Sequence, residues 1–354
     1  MNRYLFLDKL RLAATCAVVL LHTVTGVMDT TDMNLYPLEK TVFLVVLDLI
    51  TWCVPIFVLI SGYLFLHPAK EITYKQMLAK YCRRILLALF TFGVPYACLE
   101  LILVGRTFRF EMLGEAVWMV CTGKSWSHMW YLYMILLLYL ITPALKWFLK
   151  RVPKAVVYGG LVLLLLGSSI LPFLKKLLEW EQLAVLPDGG IYFFYYICGY
   201  LFASVECGEV KKKVDSKVGD VRRYLVWGVL IALFGGMVCS RLLGDYSVQM
   251  AYNYPFTVAA SLLMVWIAKN GEKSEGAAEK PTSLTLLMKL SSLSFTVYLI
   301  HPVFLNVFYK FFHITLLDFS IWFSLPGIFL IVLLLSVIVA WVLYQIPVLK
   351  KWVL

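Results

Sequence analysis

Residues 5–27 read LFLDKLRLAATCAVVLLHTVTGV, an apolar run that carries Arg11 and His22. Its length suits a helix crossing about 30 Å of hydrocarbon. Eleven residues of helix turn through about 1100°, so the two side chains lie within roughly 20° of each other on one face. They are about 16 Å apart along the axis, at about 1.5 Å per residue. A guanidinium or imidazole facing lipid is costly, so such residues face a bundle interior or a wet cavity. Asp8, three residues before Arg11, is placed to pair with it. One face of this segment therefore carries a cation near a membrane surface and a titratable base deep in the bilayer.

The rest of the chain extends this pattern. A mean hydropathy of +0.83 and 62% hydrophobic residues over 354 positions exclude an ordinary soluble protein. Apolar runs recur at roughly 5–27, 42–66, 83–104, 129–149, 155–173, 190–207, 224–240, 251–268, 290–312 and 321–345. They lack period-2 alternation, so they read as helices and not as barrel strands. The expected fold is all-α, a polytopic transmembrane bundle of about ten spans. It forms a single membrane domain over residues 1–354, with no soluble domain. No small-residue cleavage site follows the first segment, which reads as a retained helix and not a signal peptide.

The net charge of +11 does not call for nucleic acid, because its distribution explains it. With the N-terminus inside, 24 of the 32 lysines and arginines fall in cytoplasmic segments and 8 outside. This bias satisfies the positive-inside rule and places both termini in the cytoplasm. The basic inner rim is also suited to an anionic cytoplasmic substrate. The eight cysteines show no CxxC or Cys/His spacing. They imply neither a disulfide framework nor a metal site. Lys269 to Thr285 reads as a flexible inner linker and Glu206 to Arg223 as a second charged inner loop. The outer segment Gly105 to His128, with Trp118 and Trp126, suits a short surface or re-entrant helix.

Five constellations carry possible chemistry. Val54 to Tyr63, VPIFVLISGY, places a Pro and a Ser-Gly pair in one span, as a kink and notch or as a pocket wall. Lys80, Arg83 and Arg84 share a helix face at the inner start of the third span, a pattern that suits phosphates. His128 precedes Trp130-Tyr131-Leu132-Tyr133 and reads as an interfacial residue. Ser291 to Pro302, SSLSFTVYLIHP, places His301 about 16 Å into its span, at the depth of His22. Ser294 and Tyr298 fall within roughly 20° and 60° of His301 on that helix, whereas Thr296 points away. Asp48 and Glu100 are intramembrane carboxylates, placed either to orient His22 or to sit near the outer headgroups.

Together these residues resemble the acyltransferase 3 family of integral membrane acyltransferases. Leu7-Asp8-Lys9-Leu10-Arg11, then ten residues, then His22, is similar to its Arg-x10-His signature. The segments Val54–Tyr63, His128–Tyr133, Tyr196–Tyr200, Leu293–Pro302 and Leu343–Pro347 follow in the family's order. The resemblance implies transfer of an acyl group, commonly acetyl from acetyl-CoA, to a sugar or related acceptor of the cell envelope. It implies Arg11 and His22 as the essential pair, and donor contacts from the basic start of the third helix. There the family often has Arg-x-x-Arg and this chain has Lys80-x-x-Arg83, which keeps the charge but loses one bidentate fork.

The reading is an O-acyltransferase of the bacterial plasma membrane. His22, Arg11, His301 and Tyr298 are the candidate catalytic residues, and Lys80, Arg83 and Arg84 bind the donor. Acyl-CoA, expected as acetyl-CoA, is a co-substrate and no cofactor is permanently bound. The expected partners are membrane lipid and a glycan or lipid-linked acceptor. The alternatives are a transporter or flippase for a lipid-linked or small polar substrate, and a sensory or scaffold domain that would not need His22. The lack of internal repeats weighs against transport.

Overall fold

The computed structural model describes residues 4–105, 109–180, 182, 185–187, 189–208, 216–243, 251–274 and 281–354. Among the described residues it is 83% helix, with no strand. The helices are α1 (Leu5–Met28), α2 (Pro37–Ile50), α3 (Cys53–Leu66), α4 (Tyr74–Gln76), α5 (Arg83–Gly105), α6 (Glu111–Cys121) and α7 (Trp130–Arg151). They continue as α8 (Lys154–Leu165), α9 (Leu171–Leu177), α10 (Gly190–Gly208), α11 (Ser216–Leu243), α12 (Pro255–Ser274), α13 (Pro281–Asn306), α14 (Ile321–Leu343) and α15 (Pro347–Trp352). Each apolar run expected to span is helical. Among the described residues, seven helices are long and apolar enough to cross a membrane alone, and Gly190–Val205 and Tyr224–Cys239 are shorter apolar helices.

Backbone satisfaction explains the irregular places. The second span is broken between α2 and α3 at Thr51 and Trp52, ahead of Pro55. Pro55 thus sits in the first turn of α3, where a missing N–H costs little. Thr51 Oγ1 donates to the Leu47 carbonyl at 2.6 Å, and Trp52 Nε1 donates to Leu49 at 2.6 Å. Side chains therefore serve carbonyls at the break, as hydrocarbon surroundings demand. α6 is the short helix expected in the outer segment. The inner linker expected from Lys269 is helical at its described ends, since α12 reaches Ser274 and α13 begins at Pro281. Its Ala, Glu and Lys content favours helix. Residues 209–215 and 275–280 of the two inner loops lie outside the described residues, as does Arg106.

The most extensive helix pair is α3 with α10. Its closeness depends on Gly62 and Gly199. A Cβ on Gly62 would stand 2.0 Å from the Tyr196 carbonyl oxygen, and one on Gly199 would stand 2.4 Å from the Leu59 oxygen. Backbone meets backbone, the small-residue packing by which helices associate in lipid. α2 is tied to α11 by an ion pair. Arg241 Nε lies 2.6 Å from Asp48 Oδ2 and a terminal nitrogen 3.2 Å from Oδ1. Asp48 therefore does not orient His22. A buried carboxylate needs a full partner, and the fork of Arg241 is that partner.

Gly62→Ala is expected to destabilise the fold by about 3 kcal/mol or more, beyond ordinary overpacking, because backbone cannot yield as a side chain does. Thermal unfolding in detergent would show it. Gly114→Ala on α6, where a Cβ meets nothing within 4 Å, should leave the midpoint unchanged or raise it.

Candidate functional site

α1 and α13 build the centre of the site. At one end Arg11 donates to Asp8 Oδ1 at 3.3 Å and to Ser291 Oγ at 3.2 Å. Ser291 in turn donates to Asp8 Oδ1 at 2.6 Å. Asp8 is 2% exposed, so this network satisfies a buried carboxylate from two helices. Eleven residues on along α1, and ten along α13, the imidazoles of His22 and His301 face each other with ring centres 5.2 Å apart. Parallel helices of equal rise that touch at Arg11 and Ser291 meet again at this level.

The third member of the centre is His128. It sits in the short turn Ser127–Met129 that leads into α7. Its ring centre is 6.3 Å from that of His22 and 5.8 Å from that of His301. His128 is buried, which corrects its reading as an interfacial residue. Position relative to the span start suggested the membrane edge. The fold instead tucks the turn under a stacked pair, Tyr96 and Trp126, whose rings lie 4.2 Å apart.

Hydrogen bonds fix the three rings. Tyr298 donates its hydroxyl to the carbonyl of His128. Tyr96 donates to the Leu299 carbonyl at 2.8 Å, within the turn that Pro302 disturbs. Tyr309 donates to the carbonyl of Thr23, next to His22, at 2.7 Å. His301 Nδ1 lies 3.2 Å from the Val297 carbonyl. A carbonyl only accepts, so that contact belongs to the tautomer with hydrogen on Nδ1. His301 Nε2 and His128 Nε2 are buried and have no hydrogen-bond partner. Ser294 Oγ is likewise buried and unpartnered.

Two cavities meet at this centre. The first, about 420 Å³, is lined by Arg11, Arg84, Tyr344, Ser294 and Tyr298 among others. The second, about 340 Å³, is lined by Glu100, Lys310, Lys124, Asn306 and Trp126 among others. The residues common to both walls are His22 and His128. Glu100 lies 3.2 Å from Lys310 and is half-exposed, so it pairs with that lysine while sharing a cavity with His22.

The expected site residues thus divide. Arg11, His22, Tyr298 and Arg84 line the first cavity, and His301 packs behind His22 without lining either. Lys80 and Arg83 do not line the first cavity. The Lys80 ammonium lies 5.4 Å over the Tyr81 ring and the Arg83 guanidinium 4.3 Å over Trp352. The shared face expected for Lys80, Arg83 and Arg84 assumed a regular α-helix. Met77–Cys82 is wound as a π-helix, so Lys80 does not follow the α-helical phase of Arg83 and Arg84, which begin α5 and point about 100° apart. Arg84 Nε also donates to the Val353 carbonyl at 3.3 Å, tying α5 to the segment after α15.

A third cavity, about 380 Å³, adjoins the first through Leu64 and carries Lys70. Burial, and secondarily the charge of Lys80, holds the Lys70 ammonium below its ordinary pKa. No group of three or more potential ligands suited to a metal ion occurs among the described residues.

The sequence matches the acyltransferase domain family Acyl_transf_3 over residues 4–345. The chain belongs to the acyltransferase 3 family. With its membrane-length helices it is a membrane acyltransferase. Neither a curated protein nor a solved structure matches it. In this acyltransferase Arg11 and His22 both line the first cavity. The second cavity carries no signal in the linear order, and His128 signals itself there only through the His128–Tyr133 segment, not through its place beside His22.

Tyr298→Phe removes the donor to the His128 carbonyl. One such bond is worth about 1 kcal/mol. The acyltransferase should lose roughly 5-fold in turnover, with a small fall in thermal midpoint. Unchanged turnover would mean that the ring position of His128 does not matter.

Proposed function

We propose that this protein is an O-acyltransferase of the bacterial plasma membrane, moving an acyl group, acetyl in the simplest case, from acyl-CoA to a hydroxyl of an envelope glycan or lipid-linked acceptor. The observation that carries the reading is the meeting of two cavities at His22 and His128. The excess of basic residues puts the Arg11 end of α1 in the cytoplasm. The first cavity then faces the donor and the second the acceptor.

The residues suit these parts. Arg11 and Arg84 supply cations for the donor's phosphates. The aromatic walls, including Tyr131, Tyr139 and Phe57, suit the uncharged arm that carries the thioester. His22 takes the proton of the acceptor hydroxyl as its oxygen attacks the thioester carbonyl. The new carbon–oxygen bond forms, the carbon–sulfur bond breaks, and the proton passes from His22 to the departing thiolate. Ser294, a free hydroxyl in the same wall, is placed to donate to the oxyanion. His301 supports the His22 ring, and Tyr298 holds the backbone of His128. A transport path through the two cavities is the second reading, and it predicts no CoA release.

His22→Ala should lower CoA release or glycan acylation by about 10²-fold or more, at unchanged protein level. Near-normal transfer by the folded variant would remove His22 as base. Arg84→Gln should raise the apparent KM for acyl-CoA, and the effect should shrink as salt rises. An unchanged KM at low salt would leave Arg84 as a structural tie to the Val353 carbonyl. In contrast, Lys80→Gln and Arg83→Gln should change KM little, because neither side chain lines the cavity.

A further inference from the structure

We propose that the second cavity takes an acceptor bearing an anionic group, a carboxylate or a phosphate, on or beside the unit whose hydroxyl is acylated. This rests on the acyltransferase reading above and narrows its acceptor. The argument is an inventory of what the cavity leaves unsatisfied.

The formal charges in its wall are Glu100, Lys310 and Lys124. Glu100 and Lys310 cancel, with nitrogen and oxygen 3.2 Å apart. Lys124 makes no ion pair among the described residues, and one positive charge is left over. The neutral groups are of both kinds. Ser125 spends its hydroxyl on the Gly93 carbonyl at 3.1 Å. Asn306 spends its amide nitrogen on the Pro302 carbonyl at 2.8 Å. The Trp126 indole nitrogen is buried with no partner, and an indole nitrogen only donates. The one uncompensated charge in the wall is therefore an ammonium, and beside it stand the Ser127 hydroxyl and the Asn306 amide oxygen, which suit the hydroxyls of a polyol. An uncompensated ammonium calls for a ligand that brings an anion.

The floor supplies the opposite need. His128 is 3% exposed, its Nε2 has no hydrogen-bond partner, and it lines this cavity beside His22. A hydroxyl is the group that such a nitrogen would meet. The ligand that fits is thus a polyol with an anion at one end and the reacting hydroxyl at the other. The volume of about 340 Å³ lies within the range of small-molecule sites, roughly 300–1,000 Å³, and accommodates one sugar unit and its substituent.

The test uses the whole protein in its cells. Envelope glycans from cells with and without it are fragmented by mass spectrometry, and the added acyl mass is assigned to a unit. The expected result is an acyl group on, or next to, a unit bearing a carboxylate or a phosphate, and the fragment masses tell the two anions apart. Lys124→Gln should reduce that acylation at least 5-fold at equal protein level, and Lys124→Arg should retain most of it. An acyl group on a neutral unit with no anionic neighbour would overturn the proposal. So would full acylation by Lys124→Gln, which would leave Lys124 as a headgroup contact only. With purified protein and acetyl-CoA, methyl glucuronide should release CoA at lower KM than methyl glucoside, and the gap should close at high salt. Equal KM values would overturn it too. No acylation in cells and no CoA release by the native protein would instead defeat the acyltransferase reading, and this proposal with it.

Discussion

A carboxylate buried on a membrane helix has to be met by a partner, and Asp8 is met from two sides. Arg11 reaches it along α1, and Ser291 reaches it from α13 at 2.6 Å. The consequence extends beyond that end of the bundle. Once two parallel helices are pinned at one level, equal rise sets their register everywhere else. His22 and His301 come to the same depth because of a contact about three turns away. The His22–His301 pair therefore inherits its geometry from an electrostatic requirement at the far end of the same two helices.

The remaining walls are placed by the other constraint of a hydrocarbon solvent, the satisfaction of backbone. Apolar side chains gain little by leaving lipid for one another, so close helix contact has to come from shape. Gly62 and Gly199 let α3 and α10 approach until carbonyl oxygens fill the space of a side chain. That contact stations Phe57, Ile60 and Ser61 along the first cavity. Polar side chains then satisfy what the irregular stretches leave open. Tyr96, Tyr298 and Tyr309 each give a hydroxyl to a carbonyl close to a histidine. The phenols act as struts, and their aromatic bodies keep the surroundings of the centre apolar.

A two-chamber arrangement with titratable side chains at the common wall separates tasks that one cavity would confuse. In the proposed reaction a donor with several negative charges meets Arg11 and Arg84 in one chamber, and the acceptor enters the other. Neither has to cross the position of the other. The narrowness of the shared wall, His22 and His128, is what links the two sides chemically.

Much of this was legible in the chain order. Long apolar runs with sparse charge dictate membrane helices, because hydrocarbon leaves no alternative for the backbone. The one-face placement of Arg11 and His22 follows from helical period, as does the Asp8–Arg11 pair. The stripe of Ser294, Tyr298 and His301 follows likewise. The motif order also indicated the family, which the domain match over residues 4–345 bears out. What periodicity could not give is any fact that depends on a departure from the period or on a neighbour distant in sequence. Arg84 lines the first cavity, whereas Lys80, on the π-helical turn Met77–Cys82, and Arg83, one residue before Arg84 on α5, do not. The Arg241 fork, 193 residues from Asp48, took the carboxylate that had been a candidate partner for His22. His128 lies at the start of a span by sequence and inside the centre by tertiary structure, since the turn that carries it is folded under Tyr96 and Trp126. Helical period acts within one element and is written in the order of residues. Which faces of different helices meet depends on packing across the whole bundle, and the tertiary structure alone decided it.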